Sequence, residues 1–208
     1  MQYIALEGID NCGKSTIIKH IKKDFPNFNY VREPGTTKYA EELRQVMFSN
    51  INTNQIAIQV AMTSARIDLC TQLLKDNKDI ISDRCFLSLA YADEFDNEMC
   101  EKLLLMNKTF VPLFPKTIIY LQVSAEESVK RFKNKKMEGY DTFDLEAICR
   151  RISRYEFLLN KVSELSISNV VKINAERKFS LVYDEIRSII YEHGGKTTSL
   201  SENTEEKS

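Results

Sequence analysis

The sequence predicts a three-layer α/β fold, a five-stranded parallel sheet with helices on both faces. Three observations predict it. Short β-rich runs recur along the chain, amphipathic stretches separate them, and the first apolar run passes through a glycine-rich turn straight into a helix, "YIALEGIDNCGKSTIIKHI" from Tyr3 to Ile21. Alternating strand and helix signals are what parallel strands joined by right-handed crossovers produce.

In chain order, a strand is expected over Gln2–Leu6, followed by a helix over Lys14–Lys23. A second strand over Asn29–Arg32 precedes two helical runs, Lys38–Phe48 and Asn54–Lys75. A third, over Asp79–Ser82, leads into one helix over Leu87–Met106. The prolines of "FVPLFPKT" mark a loop feeding the fourth strand, Thr117–Val123, with helices over Ala125–Lys135 and Leu145–Leu165 after it. A strand over Asn169–Ile173 and a helix over Phe179–Tyr191 close the series. One domain is expected over 1–193, and the polar, nearly apolar-free segment 194–208 reads as a disordered tail.

The bulk composition narrows the function classes. With 208 residues, 43% apolar and 28% charged, the chain can bury a core without disulfides or metals. A formal net charge of −1 argues against a nucleic-acid partner. Five cysteines without C-x-x-C spacing and only two histidines, His20 and His193, offer neither a zinc site nor a disulfide framework, so free thiols in a reducing compartment are expected. No stretch approaches the ~20 apolar residues of a membrane span. The opening lacks the basic n-region and apolar h-region of a signal peptide, and a cytoplasmic location without membrane contact is expected.

The segment Gly8-Ile9-Asp10-Asn11-Cys12-Gly13-Lys14-Ser15 fits G-x-x-x-x-G-K-[ST] between a strand and a helix, the context this phosphate-binding loop requires. Glycines expose successive backbone N–H groups and the helix start adds its positive dipole end, so Gly8 through Ser15 and Thr16 form a candidate ATP site. Lys14 would reach the β- and γ-phosphates and Ser15 would coordinate Mg²⁺. None of the Asn-Lys pairs has the aspartate of a guanine-reading N-K-x-D, which leaves a small kinase as the natural reading of this P-loop chain.

A kinase needs a second anion site facing the first. "VREPGTTKYAEELRQV" and "IISDRCFLSLAYADEF" supply candidates. Together with the loop, in this order, they resemble the thymidylate kinase family, with its E-G-x-[DE]-x-x-G-K-[ST]-T and R-E-P-G-G-T signatures and D-R-[YH] followed by S-x-A-Y-Q. The resemblance runs from Tyr3 to about Ile173 and implies a P-loop kinase fold with a short basic lid, using ATP and Mg²⁺ to convert dTMP to dTDP. It implies that Asp83 holds the metal with Ser15 and that Arg84 binds the acceptor phosphate. Asp10 and Glu33 would line the sugar and phosphate end, and Arg44 would point toward the phosphate and base. Arg66 would read the thymine 4-oxo group, Tyr91 would exclude a 2′-hydroxyl, and Ser88 would sit near the base. The lid "KRFKNKKMEGYDTFD" would supply cations to the transferring phosphoryl group from among Arg131, Lys133, Lys135 and Lys136. Adenine would lie near "KINAERK", and a homodimer is implied. Taken alone, each residue has a plainer reading: Arg44 and Arg66 as solvated helix charges, Asp83 as a helix cap, Tyr91 as core.

The sequence departs from the family pattern at several positions. Thr36 replaces the second glycine of R-E-P-G-G-T, the third motif is one residue shorter, Ala92 stands for its final Gln, and Thr142 for a lid arginine. Met62 replaces the aromatic that stacks on thymine; a thioether gives softer contact. A more permissive base pocket, taking dUMP or 5-substituted relatives, is therefore an alternative expectation. Cys12 in the phosphate loop is a candidate for oxidation, with a tolerated small side chain as the alternative. A nucleoside kinase and a non-catalytic nucleotide-binding protein are the remaining rivals.

Overall fold

The computed structural model describes residues 1–49, 54–132 and 144–192, with the side chains of 47 and 48 left aside. Five strands, β1 (Tyr3–Glu7), β2 (Asn29–Arg32), β3 (Ile80–Asp83), β4 (Thr117–Gln122) and β5 (Asn169–Asn174), form one sheet in the order β2-β3-β1-β4-β5. Every pairing is parallel. β1 occupies the centre because "YIALE" is buried along its whole length, while edge strand β5 is mostly half-buried or exposed. The helices are α1 (Lys14–Asp24), α2 (Lys38–Phe48), α3 (Gln55–Asp76), α4 (Asn97–Phe110), α5 (Ala125–Phe132), α6 (Leu145–Glu164) and α7 (Phe179–Glu192). Ile17 and Ile21 of α1, Leu69 and Leu73 of α3, Leu158 and Val162 of α6, and Ile186 and Ile190 of α7 pack into the core with the strand residues Leu6, Ile81 and Ile119.

The expected elements recur with shifts of a residue or two at their ends, apart from the helix expected over Ala125–Lys135, whose last three residues lie outside the described residues. β1 and β3 each extend one residue further, because Leu6 pairs with Asp83 and the Arg84 N–H donates to the Leu6 carbonyl at 3.0 Å. The expected helix over Leu87–Met106 is corrected. Phe86–Tyr91 is a 3₁₀ turn, and α4 begins anew at Asn97, with the Asp96 carboxylate accepting from the Met99 N–H at 2.8 Å. Asp93, in the break, accepts from Arg151 and Arg154 of α6, and these bonds hold the intervening chain out of helical conformation. Thr36 is accommodated directly. Its hydroxyl accepts from the Arg32 N–H and donates to the Arg32 carbonyl, both at 2.7 Å, which closes the turn where a second glycine was expected.

Chain order and sheet order part company at β1: β2 and β3 lie on one side of it, β4 and β5 on the other. Ligands of open α/β sheets bind beyond the carboxyl ends of the strands at such a reversal. The loops after β1 and β3 both emerge there. No helix among the described residues is long and apolar enough to cross a membrane. Four cysteines are buried and Cys149 is exposed, all as free thiols.

Candidate active site

The loop after β1 has the backbone geometry that an anion site requires. Gly8 and Gly13 have φ of 146° and 107°, values that side-chain-bearing residues rarely adopt, and Asn11 has φ 60°. A Cβ on Gly8 would lie 2.7 Å from the Leu121 carbonyl oxygen and 2.8 Å from Cys12 Sγ, so only glycine fits. Gly13 caps α1 with no side-chain hydrogen bond, and no acidic residue occupies the first turn. The positive end of α1 is therefore presented without a carboxylate to neutralise it. Lys14, buried by the loop, donates to the carbonyls of Gly8 at 2.7 Å and Ile9 at 3.0 Å, with Cys12 Sγ at 3.4 Å.

This loop lines a cleft of about 800 Å³ together with Arg32, Asp83, Arg84, Arg131, Arg177 and Phe179. Ser15 and Thr16 stand exposed at its floor. Arg131 braces the loop rather than reaching into the cleft with free donors. It pairs with Glu127 at 2.8 Å, approaches the carbonyls of Asn11 and Cys12, and donates to the Ala175 carbonyl at 2.8 Å. Lys135 and Lys136, with Lys133 and Thr142, lie outside the described residues.

Arg84 follows β3 in a left-handed conformation, φ 72°, a strained geometry for a non-glycine residue. Its Nη2 donates to Asp10 at 2.7 Å and to the Tyr91 hydroxyl at 3.1 Å, and its Nη1 lies 3.4 Å from the Gly8 carbonyl. Burial opposes its charge, but Tyr91, Tyr155, Asp10 and Glu7 together hold the guanidinium well above its ordinary value. The cation is thus fixed beside the phosphate loop. Asp83, one residue earlier, lines the same cleft, and no described side chain bonds its carboxylate.

Several functional residues were not singled out from sequence. Glu7 is fully buried and accepts from the Cys85 N–H at 2.7 Å, the Tyr155 hydroxyl at 2.9 Å and the Ser88 hydroxyl at 3.3 Å. It ties the end of β1, the start of the Arg84 loop and α6 into one unit. Ser88 accordingly turns its hydroxyl to Glu7. Arg151 of α6 also lies over the Tyr91 ring, with guanidinium carbons 4.8 Å (Arg151) and 4.7 Å (Arg84) from its centroid. Arg151 Nη1 also lies 3.8 Å from Asp10. Its Nη2 and that of Arg154 meet Asp93 at 2.9 and 2.5 Å. The only local signal was the cationic "RRISRY" on a helix, which reads as a solvated face until the fold brings Asp93 to it.

On the other side of β3, Glu33 and Arg66 form a buried ion pair, Nε to Oε2 at 2.5 Å. Burial pushes the Glu33 carboxyl up, while Arg66 acts in the opposite direction. Met62 lies half-buried one helical turn before Arg66 on α3. Arg44 pairs with Glu41 at 3.9 Å, and its Cδ would lie 3.4 Å from a Cβ on Gly35, so it packs against the turn after β2.

The oxygen donors Ser15 and Asp83 suit a magnesium ion that keeps several of its waters, and both line the cleft of the phosphate loop. No cluster of three or more potential His, Cys, Asp or Glu ligands occurs among the described residues.

Comparison with known proteins gives a consistent result. A family model described as "Thymidylate kinase" matches residues 6–186. The chain is 27% identical over 193 residues to a thymidylate kinase of Campylobacter jejuni (strain 81-176), covering 90% of this chain and 99% of that protein. It is 30% identical over 189 residues to one of Sulfurimonas denitrificans, covering 88% and 96%. Among solved structures, a thymidylate kinase from Ehrlichia chaffeensis superimposes with a TM-score of 0.66 at 19% identity, covering 91% of this chain and 98% of that one, a likeness of fold.

Proposed function

The chain belongs to the thymidylate kinase family, and from that premise we propose how its residues transfer the γ-phosphoryl group of ATP to dTMP, giving dTDP and ADP. The observation that carries the scheme is the juxtaposition of Lys14 and Arg84, two cations on loops from neighbouring strands that line one cleft. The loop N–H groups and the α1 terminus hold the donor's β-phosphate, and Lys14 leaves the Gly8 and Ile9 carbonyls for the phosphate oxygens. Arg84 holds the acceptor phosphate in line with the donor. A phosphate monoester near neutral pH is largely deprotonated (second pKa about 6), so its oxygen attacks phosphorus without a side-chain base. Catalysis is then alignment plus positive charge where negative charge accumulates.

Ser15 and Asp83 would hold a Mg²⁺, which would supply positive charge to screen the donor oxygens. Arg131 and the turn from Ala175 to Phe179 form the adenine end, since the Arg131–Ala175 bond walls the cleft there. Asp10 receives Arg84 and keeps it oriented before the acceptor arrives, and Tyr91 lies against the sugar. An ADP-release assay across dTMP, dUMP, dCMP and thymidine with Mg·ATP tests the scheme. Turnover should be fastest with dTMP, absent with thymidine and lost on chelation of Mg²⁺. Phosphorylation of thymidine but not dTMP would replace it with a nucleoside kinase.

The outer face of α3 supports a homodimer. Ile58, Leu69 and Leu73 are buried, while Ile56 and Val60, one turn apart, are 41% and 48% exposed, and Val46 of α2, the helix packed on α3, is 50% exposed. A helix that is apolar on both faces needs a second partner. Light scattering should give twice 24.1 kDa, and Val60→Asp should return the protein to a monomer. A wild-type monomer at micromolar concentration would exclude this interface.

A further inference from the structure

The buried cluster behind the acceptor side contains a residue to which neither the phosphate loop nor the family motifs give a role. Asn107 of α4 is fully buried. Its Oδ1 accepts from Arg66 Nη1 at 2.5 Å, and Thr63 Oγ1 lies 3.5 Å from the same oxygen. Its Nδ2 donates to the Leu103 carbonyl at 2.8 Å, which fixes which way the amide faces. Glu33 takes Arg66 Nε, and the Tyr3 hydroxyl donates to the other Glu33 oxygen at 3.4 Å. Arg66 is therefore held in a fork, by a carboxylate on one edge and an amide oxygen on the other.

One donor group is left over. Nη2 of Arg66 bonds to no described residue. It is not sealed in the core either, because the Ser168 hydroxyl is the only buried side-chain polar atom without a partner among the described residues. Nη2 thus keeps some exposure at the edge of the cluster, although Arg66 as a whole is buried. Met62, one turn earlier, shares that face of α3. The Glu33 N–H donates to the Asp83 carbonyl at 3.0 Å, so the fork is tethered one residue from Arg84 and the acceptor phosphate.

We infer that Asn107 is a specificity-determining positioning residue, which together with Glu33 aims Arg66 Nη2 as a pure hydrogen-bond donor at the 4-position of the acceptor pyrimidine. This rests on the reading of Arg66 as the base reader that the family resemblance implies. A 4-oxo group accepts from that donor; the 4-amino group of cytosine presents donor to donor and is rejected. Glu33 alone leaves the guanidinium free to swing about its Nε–carboxylate contact, and Asn107 removes that freedom. Sites built around a fixed polar partner discriminate far better than loosely arranged ones.

The test is the ratio of kcat/KM for dTMP over dCMP. Asn107→Ala and Asn107→Ser, neither of which reaches Nη1, should each lower the ratio about tenfold or more, with KM for ATP unchanged. Asn107→Asp retains the accepting oxygen and should preserve the ratio whatever it does to overall rate. A merely structural asparagine would lower both activities together and leave the ratio intact in every variant, which would overturn the inference. Arg66→Met separates the two ideas. If it lowers the ratio while both asparagine variants keep it, Asn107 is not involved. If it leaves the ratio unchanged, base reading by Arg66 and the inference fall together. Should Asn107→Ala not fold, Asn107→Ser and Asn107→Asp still decide between these outcomes.

Discussion

Lys14→Ala is expected to lower kcat/KM for dTMP by about 10³-fold or more, with a change in thermal midpoint of only a few degrees. The size follows from where the ammonium sits. Removing one preorganised donor aimed at developing charge costs about 10²–10³ in rate, and a cation on a transferring phosphoryl group contributes still more. Lys14 is also the loop's own positive charge, buried against two carbonyls with no carboxylate bonded to it. In the absence of nucleotide those bonds offset the cost of burying an ammonium, so little net stability is at stake. Lys14→Met keeps the stem and removes only the charge, and it should lose as much activity as Lys14→Ala. Steady-state ADP release with a melting curve on the same samples gives both readouts. Retention of more than a tenth of the activity in either variant would remove Lys14 from the transfer step.

Arg84→Ala carries the second largest expected effect, about a 10³-fold loss in kcat/KM for dTMP with nucleotide binding to the P-loop largely kept. Truncating one side of a desolvated, hydrogen-bonded charge pair costs roughly 2–5 kcal/mol, and an incoming phosphate would lose such a partner. Arg84 already spends donors on Asp10, Tyr91 and the Gly8 carbonyl, which hold its fork in place. Arg84→Lys should recover only a small part of the activity, because an ammonium has three donors on one atom and cannot span Asp10, the Tyr91 hydroxyl, the Gly8 carbonyl and a phosphate oxygen as the guanidinium fork does. Separate titrations of ATP and dTMP decide the matter. A rise in the ATP dissociation constant with dTMP binding unchanged would reassign Arg84 to the donor.

Asp10 gives this prediction a structural side. Removing Arg84 leaves the Asp10 carboxylate with Arg151 at 3.8 Å as its remaining charged neighbour. The left-handed residue 84 would also keep its strain without the contacts that offset it. A modest loss of stability is therefore expected in Arg84→Ala, and it must be measured beside the kinetics.

Local chemistry explains which parts of the site were legible in the sequence. The phosphate loop is contiguous, and each of its requirements (glycine where φ is positive, lysine at the helix start, a hydroxyl next to it) is met by neighbours in the chain. The inner strands β1, β3 and β4 are legible to within a residue because a doubly covered parallel sheet demands apolar runs. The helix expected over Leu87–Met106 was misjudged because the competing interaction is remote: Asp93 is held by Arg151 and Arg154, 58 and 61 residues away in the chain. Glu7 reads as the polar end of a strand until Tyr155, Cys85 and Ser88 are folded against it. Asn107 reads as one more polar residue on a helix.

By itself the sequence determined the class of fold and the kind of chemistry, and it located the glycine-rich turn proposed to bind phosphate, since each rests on short-range patterns of glycine, charge and apolar periodicity. Only the tertiary structure decided which side chains share a partner: Arg84 with Asp10 and Tyr91, Arg66 with Glu33 and Asn107, Asp93 with two arginines of α6. Such pairings depend on strand order and helix placement, and no rule of spacing along a chain encodes the meeting of groups brought together across a sheet.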